Sequence, residues 1–421
     1  MPSLYVHIPF CKSRCIYCDF FSTTALPMRE RYVQAVCKEM EERAKRADLS
    51  KPVSSVYLGG GTPSQLTFPQ LTLLFHTIQR LFPVAADAEV TMELNPDDVT
   101  TDFVDQLRSL PVNRVSLGIQ TFSDQRLRFL HRRHTAQQAV QAVRLLQTAG
   151  YANISIDLMF GFPDQTIAEW QADIAEALRL DVQHISAYSL MYEEGTQLTR
   201  LRDARKIVET DEDCSRQMYE YLIDALHAGG YGHYEISNFC RPGFHSRHNS
   251  GYWDGTHYLG FGAAAHSYDG NTRSWNPSDL TLYIIGIEEN RLNPEKETLT
   301  KSQLYDERIM TGLRTARGVD LHRLKEDFGQ QYYDYCLRMA EKHLNAGLLS
   351  LLPTCTSRFS HEETLTLPHS VSSFADCTSR FSSEDTLPPA SQLDVETRES
   401  LVLTRQGLFV SDDVMSDLMY L

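Results

Sequence analysis

Six times in succession this chain sets a short β-branched run ahead of a longer stretch of helical period. Few folds accept that pattern. The strand-like runs fall at residues 4–8, 53–58, 89–94, 114–117, 154–158 and 184–190. The helical stretches fall at 29–46, 69–81, 101–110, 136–148, 167–180 and 211–228. Such alternation predicts an α/β fold, a parallel sheet covered by helices. Periodicity leaves open whether the sheet curls toward a barrel or stays flat. The 421 residues exceed the ~250–300 that one core usually holds, so a second, smaller domain is expected.

The residues that follow each strand carry the chemistry. The first strand runs into Cys11-Lys12-Ser13-Arg14-Cys15-Ile16-Tyr17-Cys18, the second into Gly59-Gly60-Gly61-Thr62-Pro63. The third ends in Glu93-Leu94-Asn95-Pro96 and the fourth in Gly118-Ile119-Gln120. The fifth and sixth lead to Gly161-Phe162-Pro163-Asp164-Gln165 and Glu193-Glu194-Gly195-Thr196. Parallel sheets and barrels bind ligands at the carboxyl ends of their strands. One shared site at that end is the economical expectation.

Composition narrows the partners. Forty Lys and Arg against 55 Asp and Glu leave a net charge of −15, which argues against a nucleic-acid binder. No basic, then apolar leader opens the sequence, and no apolar run reaches the ~20 residues of a transmembrane helix. Nine cysteines, an odd number, fit thiols kept reduced in a cytoplasmic setting.

Past about residue 230 the texture turns Gly-, His- and aromatic-rich, then mainly helical from 301 to 349. The expected division is 1–235 and 236–421, with a Ser/Thr/Pro-rich insert at about 352–394. The insert holds an imperfect repeat, Cys355-Thr356-Ser357-Arg358-Phe359-Ser360 and Cys377-Thr378-Ser379-Arg380-Phe381-Ser382. Two copies are too few for a solenoid; a loop or small hairpin is expected.

Cys11, Cys15 and Cys18, spaced C-x3-C-x2-C on a tight loop, suit three corners of a four-iron cubane. The fourth iron is left open to a small molecule. Zinc, with His7 as a fourth ligand, is the plainer alternative.

The phrase Tyr5-Val6-His7-Ile8-Pro9-Phe10 before this loop and the triple glycine after strand two add specificity. Together they resemble the radical S-adenosylmethionine (SAM) superfamily. The likeness is to the branch holding oxygen-independent coproporphyrinogen III oxidase and the HemW-type heme chaperones. The resemblance covers residues 1 to about 350 and the last stretch of the chain, not the insert. It implies a partial (β/α)6 barrel joined to a smaller, mainly helical HemN-type C-terminal domain. It also implies a [4Fe-4S] cluster on Cys11, Cys15 and Cys18, with SAM on the open iron. Around SAM it places Tyr5, Tyr17, Gly60, Gly61, Thr62 and Glu93. Gln120, Arg132 and Asp157 match the pocket for a second SAM in the oxidase. Asp157 is a lone carboxylate in an apolar strand and so needs a partner, a ligand or an internal salt bridge.

Within that branch the chain departs from the oxidase. Phe20 stands where the oxidase carries a fourth cysteine, and the first strand begins at Leu4 without a long preceding segment. Ser246-Arg247-His248-Asn249-Ser250-Gly251-Tyr252-Trp253 fits the H-N-x-x-Y-W phrase of the chaperones, which implies His248 as a heme ligand. Five of the 15 histidines, His233, His245, His248, His257 and His266, crowd this stretch. By composition alone they also suit a hydrogen-bonded junction. The resemblance implies heme transfer to acceptors such as respiratory enzymes at a membrane surface. The rival is the oxidase reaction, a radical decarboxylation of porphyrinogen propionates.

Overall fold

The computed structural model describes residues 2–353 and 399–420, so the repeat insert lies almost wholly outside the described residues. The chain forms two compact units. The first comprises 1–231, 246–252 and 256–298; the second comprises 232–245, 253–255 and 299–421.

The first unit opens with the six expected strands: β1 (Ser3–Ile8), β2 (Val53–Gly60), β3 (Val84–Leu94), β4 (Arg114–Gln120), β5 (Ile154–Phe160) and β6 (His184–Ser189). Each pairs in parallel with the next. The connections hold α1 (Arg29–Ala44), α2 (Phe68–Leu81), α3 (Thr101–Leu107), α4 (Asp124–Phe129), α5 (Ala136–Thr148) and α6 (Ile167–Leu180). Then follow α7 (Gln197–Asp203) and α8 (Glu212–Ala228). Their starts are written locally. Thr67 with Gln70, Thr135 with Gln138 and Thr166 with Glu169 form reciprocal capping boxes that satisfy the first free N–H groups.

Period-two alternation splits the strands into two unlike faces. Leu4, Val6 and Ile8, Val56 and Leu58, Val115 and Leu117, and Ile154 and Ile156 are buried together as apolar core. The opposite face carries Ser3, Ser55, Glu89, Thr91, Arg114, Ser116, Ser155 and His184, all buried and all polar. A parallel sheet is ordinarily apolar on both faces. The polar face here is the floor of a site.

Strands β7 (Gly232–Glu235) and β8 (Asn238–Cys240) form an antiparallel hairpin of the second unit. Helix α9 (Arg247–Asp254) follows, its first turns in the first unit. Strand β9 (Tyr258–Phe261) then pairs in parallel with β1 on the edge away from β2. That placement continues the sheet past β1, in an open, partial barrel. Antiparallel strands β10 (His266–Tyr268), β11 (Thr272–Trp275) and β12 (Glu295–Thr298) extend the edge, and α10 (Leu280–Glu288) lies between the last two. The expected break at 235/236 therefore differs from the compact units. Residues 256–298 fall in the first unit, where β9 pairs with β1, a long-range pairing that composition does not report.

The second unit packs α11 (Lys301–Leu313), α12 (Leu321–Phe328) and α13 (Gln330–Asn345) with a small antiparallel sheet. The sheet is β13 (Val319–Asp320), β14 (Leu349–Pro353) and β15 (Glu399–Leu403), in the order β13-β15-β14. Helices α14 (Arg405–Leu408) and α15 (Ser411–Leu418) close it. Its core is Tyr305, Ile309, Leu313, Leu324, Cys336, Ala340, Leu401 and Leu418.

Candidate functional site

A cleft opens at the carboxyl ends of β1–β5, in the first unit. Cys11, Cys15, Cys18 and Tyr17 line it, with Gly60, Gly61, Thr62, Glu93, Gln120, Arg132 and Asp157. Pieces far apart in sequence meet here because every strand delivers its trailing loop to the same end.

The cysteine loop is fastened along its length. Cys11 N donates to Thr23 O at 2.9 Å. Ile16 N donates to Leu130 O at 3.2 Å, and Ile16 O accepts from Leu198 N at 2.9 Å. The Ile16 side chain is buried among Leu130, Met159, Phe162, Leu190 and Leu198. Lys12 pairs with Asp98 at 2.9 Å on the turn after β3. The three thiols thus stand on a braced loop facing the cleft. Burial raises the Cys11 thiol and pushes the Cys18 thiol up to about 11, so positive charge or metal is needed to favour the thiolates.

Each glycine of the turn after β2 is needed for a different contact. Gly60 has φ +107, and a Cβ there would stand 2.4 Å from the His7 ring; one on Gly61 would stand 2.6 Å from the Pro9 carbonyl carbon. Glu93 holds the turn from below. One carboxylate oxygen accepts from Gly60 N at 3.1 Å, the other from the Tyr57 hydroxyl at 2.7 Å. Burial raises its pKa despite both donors. Asp157, on β5, accepts from Ser116 Oγ at 3.4 Å. Burial first, then the neighbouring Glu93 charge, push Asp157 up to about 7. Two buried carboxylates close together make this floor receptive to a cation.

Arg132 supplies the counter-charge. Its guanidinium reaches Cys15 Sγ at 3.6 Å and Asn95 Oδ1 at 3.1 Å, and it also bonds Gly118 O. Its Nε is buried without a partner among the described residues. Gln120 adopts φ +74 at an irregularity between β4 and β5, and its Oε1 accepts from Tyr188 OH at 3.2 Å.

Two expected residues stand apart from the cleft wall. Tyr5 projects from β1 onto the polar face, its hydroxyl 3.0 Å from His7 Nδ1 and its ring 6.2 Å from Tyr57. His248 is 2% exposed. Its Nδ1 meets Ser55 Oγ at 2.9 Å and its Nε2 meets Tyr252 OH at 3.0 Å, while the ring stacks on Tyr57 at 4.9 Å. Burial depresses its pKa to about 3. Glu89 caps the helix beneath it, accepting from Arg247 N and His248 N at 3.0 Å each. In this arrangement both imidazole nitrogens are occupied, and iron ligation would require breaking one of those bonds.

His7, the zinc alternative's fourth ligand, is similarly committed: Nδ1 to Tyr5 OH and Nε2 to Phe21 O at 2.9 Å. Among the described residues no three His, Cys, Asp or Glu side chains converge on a single-ion position. A thiol set with no nitrogen ligand free beside it suits a cluster better than a zinc ion. Several cleft residues were not singled out from sequence: Asn95, Ser116, His131, Arg133 and Tyr188. Asn95 sat in the phrase after strand three and Arg133 beside Arg132. Ser116 and Tyr188 carried no signal beyond inward strand parity.

The open parallel barrel with its cysteine loop defines a radical SAM fold, and the comparisons agree. The Radical SAM superfamily description matches residues 5–177, and that of the HemN C-terminal domain matches 299–356. A coproporphyrinogen III oxidase (HemN) from Escherichia coli, a radical SAM enzyme, shares the fold. Its TM-score is 0.77 at 21% identity, covering 99% of this chain and 90% of that one. The chain is 36% identical to the heme chaperone HemW of Lactococcus lactis over 329 residues, 77% of this chain and 85% of that protein. The Bacillus subtilis HemW is likewise 36% identical over 335 residues, covering 78% and 88%. This chain belongs to the HemW heme-chaperone family. The superfamily's cofactors are a [4Fe-4S] cluster and SAM. No described helix is long and apolar enough to cross a membrane.

Proposed function

We propose that this chain binds heme and delivers it to heme-requiring acceptors such as respiratory enzymes, working in the cytoplasm and meeting acceptors at a membrane surface. Cys11, Cys15 and Cys18 hold the cluster in this reading. Gly60, Gly61, Thr62 and Glu93 shape the SAM site, with Tyr17 on the cleft wall and Tyr5 behind the turn through His7. Gln120, Arg132 and Asp157 form the far wall, where the oxidase takes its second SAM. A bound cluster would supply an electron to its SAM. The chain's own residues orient the ligand: the Gly60 turn admits close backbone approach, and Glu93 with Asp157 offers charge to an ammonium.

The observation that carries the chaperone over the oxidase is Phe20. It sits on the cleft wall, 65% exposed, at the position of the oxidase's fourth cysteine. The test is an anaerobic incubation of the cluster-loaded chain with coproporphyrinogen III, SAM and a reductant, following porphyrins and 5′-deoxyadenosine together. The expected result is no porphyrin product with SAM bound. Protoporphyrinogen formed over many turnovers would overturn the chaperone reading.

A further inference from the structure

One tyrosine of the first unit touches both the carboxylate under the glycine turn and the motif histidine. Tyr57 lies on β2, in the same strand as Gly60. Its hydroxyl donates to Glu93 Oε1 at 2.7 Å, while Glu93 Oε2 accepts from Gly60 N at 3.1 Å. Its ring stacks on the His248 imidazole, 4.9 Å between centroids at 26°. Tyr5 stands beside both rings, 6.2 Å from Tyr57 and 6.3 Å from His248. Glu93 lines the cleft, so the anchor of the phenol is a group that a ligand in the cleft would meet.

The hydrogen bonds around His248 select the nitrogen that can take a metal. Ser55 Oγ donates its one proton to Ser3 Oγ at 2.9 Å, so toward His248 it can only accept, and Nδ1 carries the ring proton. Nε2 keeps its lone pair, which accepts from Tyr252 OH at 3.0 Å. An imidazole held in one tautomer, its N–H donated to an oxygen behind it, has the form of a metal-ligating histidine. Two groups restrain it. Tyr252 covers the lone pair, and Tyr57 lies flat on one face and resists tilting of the ring. Tyr57 is itself fixed by Glu93.

We infer that Tyr57 is a positioning residue coupling the Gly60–Glu93 site to His248, so that an ammonium ligand such as SAM, engaging Glu93, releases Tyr57 and readies His248 for heme. The inference rests on the heme-chaperone reading, with His248 as the heme ligand. The ammonium competes with Tyr57 OH and Gly60 N–H for the same carboxylate oxygens. A phenol that has lost its acceptor no longer holds its ring against the imidazole. A ligand shifts such a balance only by binding one state better, and here that state has Glu93 turned to the cleft. Linkage then requires heme to favour SAM by the factor by which SAM favours heme.

The experiment titrates hemin into the full chain anaerobically, with and without saturating SAM, and follows the Soret band. The cluster is loaded and kept oxidised so that SAM is not cleaved. Calorimetric titration of SAM with and without hemin reads the reciprocal effect. In wild type, SAM should tighten hemin binding at least about fivefold, the lower end of ordinary coupling between sites, and hemin should tighten SAM equally. Tyr57→Phe keeps the ring and loses its anchor. Its hemin affinity without SAM should rise to the SAM-bound value of the wild type, and SAM should add nothing. Weaker hemin binding by Tyr57→Phe would mean a merely structural role and overturn the inference. So would a wild-type hemin affinity that SAM leaves unchanged or weakens, or an equal response to SAM in Tyr57→Phe; each leaves the chaperone reading standing. A wild type that takes up no hemin overturns both.

Discussion

Replacing His248 by Ala tests whether the motif histidine acts as architecture. The change deletes two hydrogen bonds in a buried setting, each with a net value of about 1 kcal/mol. The ring packed against Tyr57 leaves a hole costing about 1 kcal/mol more. The expected loss near pH 7.5 is about 3 kcal/mol. The same burial makes the loss depend on pH. His248 titrates at about 3 when folded, against about 6.5 in an unfolded chain. The unfolded state therefore binds the extra proton first, and the neutral buried ring's contribution, complete above pH 6.5, drains away as pH falls toward 3. At pH 5 the wild type has lost about 2 kcal/mol through this one group. The gap between wild type and variant should then shrink from about 3 to about 1 kcal/mol. His134, also depressed to about 3, is present in both proteins and cancels. Anaerobic urea unfolding followed by circular dichroism at the two pH values reads the gap. A gap that stays constant with pH, or one below about 1 kcal/mol at pH 7.5, would refute this account of His248.

Two further changes probe the cleft. Gly60→Ala forces a side chain onto a φ of +107 and into the His7 ring, so it should destabilise the chain by about 2 kcal/mol. SAM affinity should fall with it, and calorimetric titration of an unshifted affinity would count against the turn as a ligand cradle. Arg132→Gln removes the cation 3.6 Å from Cys15 Sγ. The cluster's reduction potential should move negative in an EPR-monitored redox titration, with Arg132→Lys between the two; identical potentials would remove Arg132 from the cluster's surroundings.

The six strands and their helices were legible because β-branched runs and helical period are local signals. Convergence of the cysteines, the triple glycine and Glu93 on one cleft followed from strand order, whereas Asp157 entered through the family resemblance. What stayed hidden was long-range. Strand β9 is four residues long, and nothing local reveals that Tyr258–Phe261 pairs with Ser3–Val6 and draws residues 256–298 into the first unit. Nor does a motif report burial. His248 in its H-N-x-x-Y-W phrase reads as a heme ligand, and the phrase does not tell that Ser55, Tyr57 and Tyr252 surround its ring.

The backbone of Ile16 is bonded on both sides while its side chain is sealed under Leu130 and Leu198. A loop braced at its midpoint is shaped by folding and not by the metal it receives. Cluster insertion then meets thiols already gathered, and little chain entropy is lost at that step. The same bracing works in reverse. A cluster stripped by oxygen would leave the barrel standing and the loop ready to be loaded again, so loss of iron and loss of fold become separate events.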